Sequence, residues 1–195
     1  VSIAIRPLTG AALQAALPDL ARLRIAVFAA WPYLYAGSED YEREYLAEFT
    51  AAADAVLVAA YDGERIVGAA TASPLIAQDD YISAPFVAAG IDPARVFYFG
   101  ESVLLPDYRG QGIGHAFFDH REAAASTWGA SHASFCAVVR PLDHPARPAD
   151  YIPLDAFWTK RGYAPVPGLI GSFDWQDHDE TVESAKPMQY WMRAL

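Results

Sequence analysis

Polar and apolar residues alternate over residues 2–6 as in a short strand, and Leu13, Leu17, Leu20, Leu23 and Val27 then recur at helical spacing. Pro18 is expected in the first turn of that helix, where a missing N–H costs least, and Trp31-Pro32 should end it because the residue before a proline is pushed out of the helical region. The segment SEDYEREYLAEF, from Ser38, offers a cap residue, acids close behind it, and Tyr41, Tyr45 and Phe49 at four-residue steps, which predicts a second helix. Residues 55–61 and 66–73 read as strands of an antiparallel hairpin around Asp62-Gly63-Glu64-Arg65. The stretch SPLIAQDDYISAPFVAAGIDPA shows no periodicity, and its length suggests a lid or binding loop. A strand over 96–105, a helix over 114–128 and a strand over 134–139 follow. Beyond the proline-punctuated VRPLDHPARPADYIP, a short helix over 154–161 ends at Gly162, and residues 168–175 and 188–193 are expected to form closing antiparallel strands.

This mixture of elements predicts one α/β domain over residues 1–195, and the 53% hydrophobic content suits a compact core. No apolar run is long enough for a membrane span and the N-terminus lacks the layout of a secretory signal, so no membrane association is expected. Cys136 is alone in the chain, which excludes an internal disulfide and fits a reducing, cytoplasmic setting; no Cys/His cluster suggests a metal. The formal net charge of -10 and scattered basic residues argue against nucleic acid, and suit a cationic small molecule or basic protein acceptor better.

The most informative stretch is VLLPDYRGQGIGHAFFDH, in which an apolar strand ends at Pro106 and passes through glycines into a helix. Such a junction offers unpaired helix N–H groups and a favourable dipole to phosphates. A P-loop would need a Lys and a hydroxyl that this turn lacks. The dinucleotide fingerprint would need glycine where His115 stands.

Arg109-Gly110-Gln111-Gly112-Ile113-Gly114, preceded by Val103-Leu104-Leu105-Pro106, resembles motif A of the GNAT superfamily of acyl-CoA-dependent N-acetyltransferases, whose pattern [QR]-x-x-G-x-[GA] is met by Arg109, Gly112 and Gly114. The order of elements agrees with that family. The resemblance implies a mixed, mostly antiparallel central sheet flanked by helices and opened around the motif. It also implies acetyl-CoA as the acyl donor, with N–H groups of Gly110, Gln111, Gly112, Ile113 and Gly114 cradling its pyrophosphate and Val103, Leu104 and Leu105 bonding the pantetheine arm like an added strand. A second family feature, F-Y-x-K-x-G-[FY], is met by Phe157, Lys160, Gly162 and Tyr163, so Phe157 and Lys160 are expected to flank the far end of the cofactor. Trp158 departs from it: family members often have there a tyrosine that protonates the leaving thiolate, and an indole cannot, which leaves Tyr151, Tyr163 or water.

Transfer to an amine needs a neutral nucleophile, a polarised thioester carbonyl and a destination for a proton. Glu101 is the candidate base; in a regular strand it shares a face with Phe97, Phe99 and Val103, where aromatic neighbours would raise its pKa, although the resemblance implies a bulge in this strand that would change its face. A structural Glu–Arg pair is the competing role. His115, His120, His132 and His144 are expected to be structural or surface residues, and Cys136 a small buried apolar residue. The resemblance places the acceptor site in the loop between the first two helices, AAWPYLYAGSEDYE, where Trp31, Tyr33, Tyr35 and Tyr41 lie beside Glu39, Asp40 and Glu42. Aromatic faces beside carboxylates attract ammonium groups, so a primary amine on a small cationic molecule or a peptide is the expected acceptor. The same tyrosines and acids also fit the packing and solvated faces of an ordinary helix. A non-catalytic acyl-CoA-binding module is the alternative, and assembly as a monomer or homodimer stays open.

Overall fold

The computed structural model describes residues 3–195. Seven strands form one sheet in the order β1-β2-β3-β4-β5-β7-β6: β1 (Ala4–Leu8), β2 (Val56–Asp62), β3 (Arg65–Pro74), β4 (Val96–Leu104), β5 (His132–Val138), β6 (Ala164–Trp175) and β7 (Ser184–Ala194). Every pairing is antiparallel except β4 with β5. The helices are α1 (Gly10–Phe28), α2 (Glu39–Ala51), α3 (Asp80–Ala88), α4 (Ile113–Trp128) and α5 (Asp155–Lys160). No helix among the described residues is long and apolar enough to cross a membrane.

The apolar stripe of α1 buries Leu13, Ala16, Leu20 and Leu23 with Leu46 of α2 against Leu57, Ala59, Ala69 and Val103 of the sheet. α3 joins this face further along, packing Ile82 and Phe86 on Val96, Tyr98 and Tyr190. On the opposite face, Ile113 and Phe117 of α4 meet Val58, Ala60 and Ala70, while Phe118 meets Phe97, Phe99, Phe135 and Tyr163. Alternation along each strand feeds both layers.

Most elements match the sequence pattern to within two or three residues, with four differences. The first strand is Ala4–Leu8, and Ser2 of the expected strand lies outside the described residues. Pro18 is interior to α1 and not in its first turn, on the exposed side where water can take the place of the hydrogen bond it lacks. The expected loop after β3 holds α3, whose Ile82 and Phe86 bury one turn apart although Pro85 interrupts the pattern. The closing strands are longer than expected, and β6 carries an irregularity between Pro165 and Ile170.

β4 decides the site. Its partners run Ala70↔Ser102 and then Ala72↔Phe99, so Thr71 faces two residues, Gly100 and Glu101, across a bulge. The extra residue reverses the alternation: Phe97 and Phe99 face α4, whereas Val103 packs with α1 and α2. Glu101 therefore shares a face with Val103 but not with Phe97 and Phe99, correcting the expectation for a regular strand.

Candidate active site

β4 and β5 pair over three residues only, Val96↔His132 to Tyr98↔Ser134. Each strand then runs on without the other, β4 to Leu104 and β5 to Val138. The split opens a cleft at the carboxyl ends of two parallel strands, with an unpaired β4 edge along one side.

The glycine turn lies just past the end of that edge. A single turn of 3-10 helix over Pro106–Tyr108 leads into it, and Gly110 and Gly112 take φ values of 75° and 80°, conformations open to glycine at little cost. The first bond of α4 runs from the Ala116 N–H to the Gly112 carbonyl, so the N–H groups ahead of it have no intrahelical acceptor. Ile113 buries its side chain and fixes the helix start; Arg109 Nε donates to the Leu104 carbonyl at 3.3 Å and Gln111 Nε2 to that of Asp107 at 3.2 Å. No atom lies within 4 Å of where a Cβ would stand on Gly110 or Gly112, so the face of the turn is open to a phosphate. Phe157 lies against Gly114, 3.5 Å from that residue's Cβ position, and edge-on to His115 and Phe118; Lys160 is exposed on the same short helix. These residues fit a CoA: a phosphate-sized turn, an unpaired strand edge leading from it, and an aromatic flank.

A cavity of about 520 Å³ opens on the α1–α2–α3 face. It reaches the split itself, because Tyr98, Gly100 and Glu101 of β4 and Cys136 of β5 are in its wall. Tyrosines 33, 35, 41, 45 and 81 line much of the rest, with Trp175 and Met188. Its charged lining is four carboxylates, Glu44, Glu101, Asp174 and Glu183, against one guanidinium, Arg24.

Glu101 and Arg24 are paired at 2.8 Å, and the Tyr45 hydroxyl approaches the same carboxylate oxygen at 3.4 Å. Arg24 also donates to Glu42, which accepts from the Tyr35 hydroxyl at 2.9 Å. Burial opposes the Arg24 charge, but the facing carboxylates outweigh it and hold its pKa above the ordinary arginine value. Burial likewise pushes the Tyr33, Tyr45 and Tyr98 hydroxyls upward, so all three keep their protons and present neutral donors. Cys136 sits 3.2 Å from the Tyr98 hydroxyl, and burial pushes its thiol up to about 12, which removes it as a thiolate nucleophile at neutral pH.

The loop between α1 and α2 is firmly seated. Arg140, just beyond β5, donates to the Pro32 and Tyr33 carbonyls at 2.8 and 2.7 Å and grips Asp177 with two bonds. Tyr33 and Tyr35 are thereby brought into the cavity wall. Trp31 is not; its ring packs on His144 and Tyr151 at centroid distances of 5.0 and 6.1 Å. Of the loop's acids, Glu39 and Asp40 are exposed at the start of α2 and Glu42 is locked by Arg24 and Tyr35, so the free carboxylates of the cavity come from elsewhere.

Trp158 packs between Phe135 and Trp191 in the core. Tyr163 is buried and donates to Glu122 at 3.0 Å, and Tyr151 sits with Trp31 outside the cavity lining. Sequence reasoning missed Arg24, Tyr81, Tyr98, Arg140, Asp174 and Glu183. Arg24 had a signal: it lies four residues after Leu20 on the apolar stripe of α1, where a charge needs a buried partner. The others come together only through tertiary packing, Tyr81 from α3, Tyr98 from β4 and Asp174 from β6 among them.

A sequence model described as the acetyltransferase (GNAT) family matches residues 22–149. Among curated proteins none matches the chain. Among solved structures, a ribosomal-protein-alanine N-acetyltransferase from Brucella melitensis is 14% identical with a TM-score of 0.60, over 98% of this chain and 99% of that one. An N-acetyltransferase from Staphylococcus aureus Mu50 is 10% identical with a TM-score of 0.62, over 100% and 99%. A GNAT family acetyltransferase from Elizabethkingia anophelis, solved with acetyl-CoA bound, is 14% identical with a TM-score of 0.55, over 99% and 98%.

Proposed function

Because the chain belongs to the acetyltransferase (GNAT) family and is thus an acyltransferase, we propose that it moves an acetyl group from acetyl-CoA to a primary amine of a small cationic acceptor by direct attack. One observation carries this reading: the cavity and the glycine turn open onto the same split strand, the cavity at Tyr98, Gly100 and Glu101 and the turn beyond Leu104.

In this reading the N–H groups of Gly110 to Gly114 hold the pyrophosphate, and the unpaired edge of β4 toward Val103, Leu104 and Leu105 holds the pantetheine arm. Phe157 and Lys160 flank the far end. Bound acetyl-CoA supplies a thioester carbonyl open to attack. The tyrosines and the carboxylates Glu44, Asp174 and Glu183 draw in an ammonium group by cation-π and direct charge. Glu101 takes its proton, directly or through water, and N–H groups of β4 polarise the carbonyl oxygen. With Trp158 and Tyr163 committed to the core, the leaving thiolate takes its proton from water.

A thiol-release assay with acetyl-CoA over a panel of amines tests this. Release is expected with cationic primary amines, and Glu101→Gln should lower kcat by about 100-fold or more. Tight CoA binding without release on any amine would leave a binding module instead, and preference for ATP or NAD over CoA would overturn the donor.

A further inference from the structure

Among the described residues Arg121 is the largest fully buried side chain, 1% exposed, and it makes no ion pair with any of them. It stands on α4, on the face of the sheet opposite α1 and Arg24. Its guanidinium lies between the rings of Phe99 and Phe118, 4.5 and 4.8 Å from their centroids. An apolar side chain would fill that slot without the penalty of burying a charge. What the guanidinium adds is donors, and their targets are specific. Nε bonds the Phe117 carbonyl one turn back at 3.2 Å, while Nη1 meets the carbonyls of Thr71 at 3.3 Å and Glu101 at 3.5 Å. Thr71 and Glu101 face each other across the one place where the β3–β4 register slips. Nη2 is buried with no partner, so the bulge and its own helix account for every bond the guanidinium makes.

We propose that Arg121 is a positioning residue: from behind the sheet it holds the β4 bulge open, and so turns Glu101 and Gly100 toward the cleft. Without that slip the alternation of β4 would send the Glu101 side chain among Phe97, Phe99 and Phe118, away from Arg24 and the cavity. The consequence for turnover rests on Glu101 being the base; the consequence for the bulge does not.

The test uses Arg121→Met, which keeps the packing length and loses every donor, and Arg121→Lys, which keeps one charged head. Two readouts are taken on the full chain: steady-state kinetics with CoA affinity, and amide hydrogen exchange along β4. Arg121→Met is expected to lower kcat by about tenfold or more with CoA affinity changed less than about twofold, Arg121→Lys recovering part of the loss. Exchange at residues 100–102 should quicken by about tenfold or more while residues 96–98 keep their protection. Unchanged kcat and exchange would overturn the proposal, as would a uniform loss of protection over β4 and α4 with CoA affinity falling in step. If Arg121→Met does not fold, Arg121→Lys decides by the same two measurements. Exchange needs no turnover, so it separates failure of this inference from failure of the transferase reading.

Discussion

Gly100 has no left-handed backbone conformation to explain it, yet a Cβ there would stand 2.5 Å from Thr71 Oγ1. Thr71 is the residue spanned by the bulge, so it has little room to move. Gly100→Ala is expected to destabilise the protein by about 1–3 kcal/mol through overpacking and to lower kcat by about tenfold, checked by denaturant unfolding and steady-state kinetics. Cys136 makes the opposite case, a reactive-looking group made inert by its surroundings. With its thiol pushed up to about 12, iodoacetamide labelling of the folded protein should stay slow at pH 8 and rise only as the pH nears that value. Fast labelling at pH 8 would mean that the cavity wall does not hold the thiol in its neutral form. Sequence reading picked out Gly112 and Glu101, since a glycine turn and an acid on a strand are local patterns. It could not name the partner of Glu101, because Arg24 and Glu101 are brought together by folding across 77 positions.

Elements were legible wherever one face is apolar and punctuation is clean. Ser38 does cap α2, accepting from the Tyr41 N–H at 3.3 Å, and Gly63 does turn the β2–β3 hairpin. α3 escaped because Pro85 and a short length blurred its two buried positions; a bulge in β4 was implied by the family resemblance, but its place at Gly100 and Glu101 leaves no trace in composition. The turn between β6 and β7 was equally silent, though it is tightly built. Glu180 accepts there from the Asp177 N–H at 2.9 Å, from Ser184 at 2.6 Å and from Lys186 at 2.8 Å, and these bonds pull its pKa from 4.5 down to about 2, the backbone bond first. The sign follows from linkage: a depressed folded value means the contribution is present above the unfolded value and is lost as pH falls from about 4.5 through about 2. Wild-type stability should therefore decline over that window by more than the stability of Glu180→Gln, as read from unfolding midpoints at each pH. Equal slopes would show that the turn does not bind the carboxylate as described.

At the scale of the molecule, the mixed, mostly antiparallel sheet flanked by helices and opened around the glycine turn followed from the sequence pattern and family resemblance, whereas the order of the strands across it and the residue at which β4 and β5 part did not. Where β4 and β5 stop pairing, both faces are packed: α4 lies under Phe99 and Phe135 on one side, and α3 lies with Tyr98 and Tyr190 on the other. A ligand lying in the split replaces strand pairing that the protein forgoes, and so it should bind the folded state alone and stabilise it by mass action. At 100 times its Kd, CoA would contribute about 2.7 kcal/mol, which for a chain of this size corresponds to a rise in Tm of about 5–10 °C. ATP shares the nucleotide and phosphates but has no arm to lie along β4, so at the same concentration it should give less than about half that shift. Gly112→Ala forces a side chain into a left-handed conformation in the turn and should weaken both ligands, because both use its N–H groups. Thermal melts with each ligand on both proteins separate the contributions. A shift from ATP as large as that from CoA would mean that the turn binds phosphates without the split strand, and would remove the link between the glycine turn and the tyrosine-lined cavity on which the transfer of an acyl group depends.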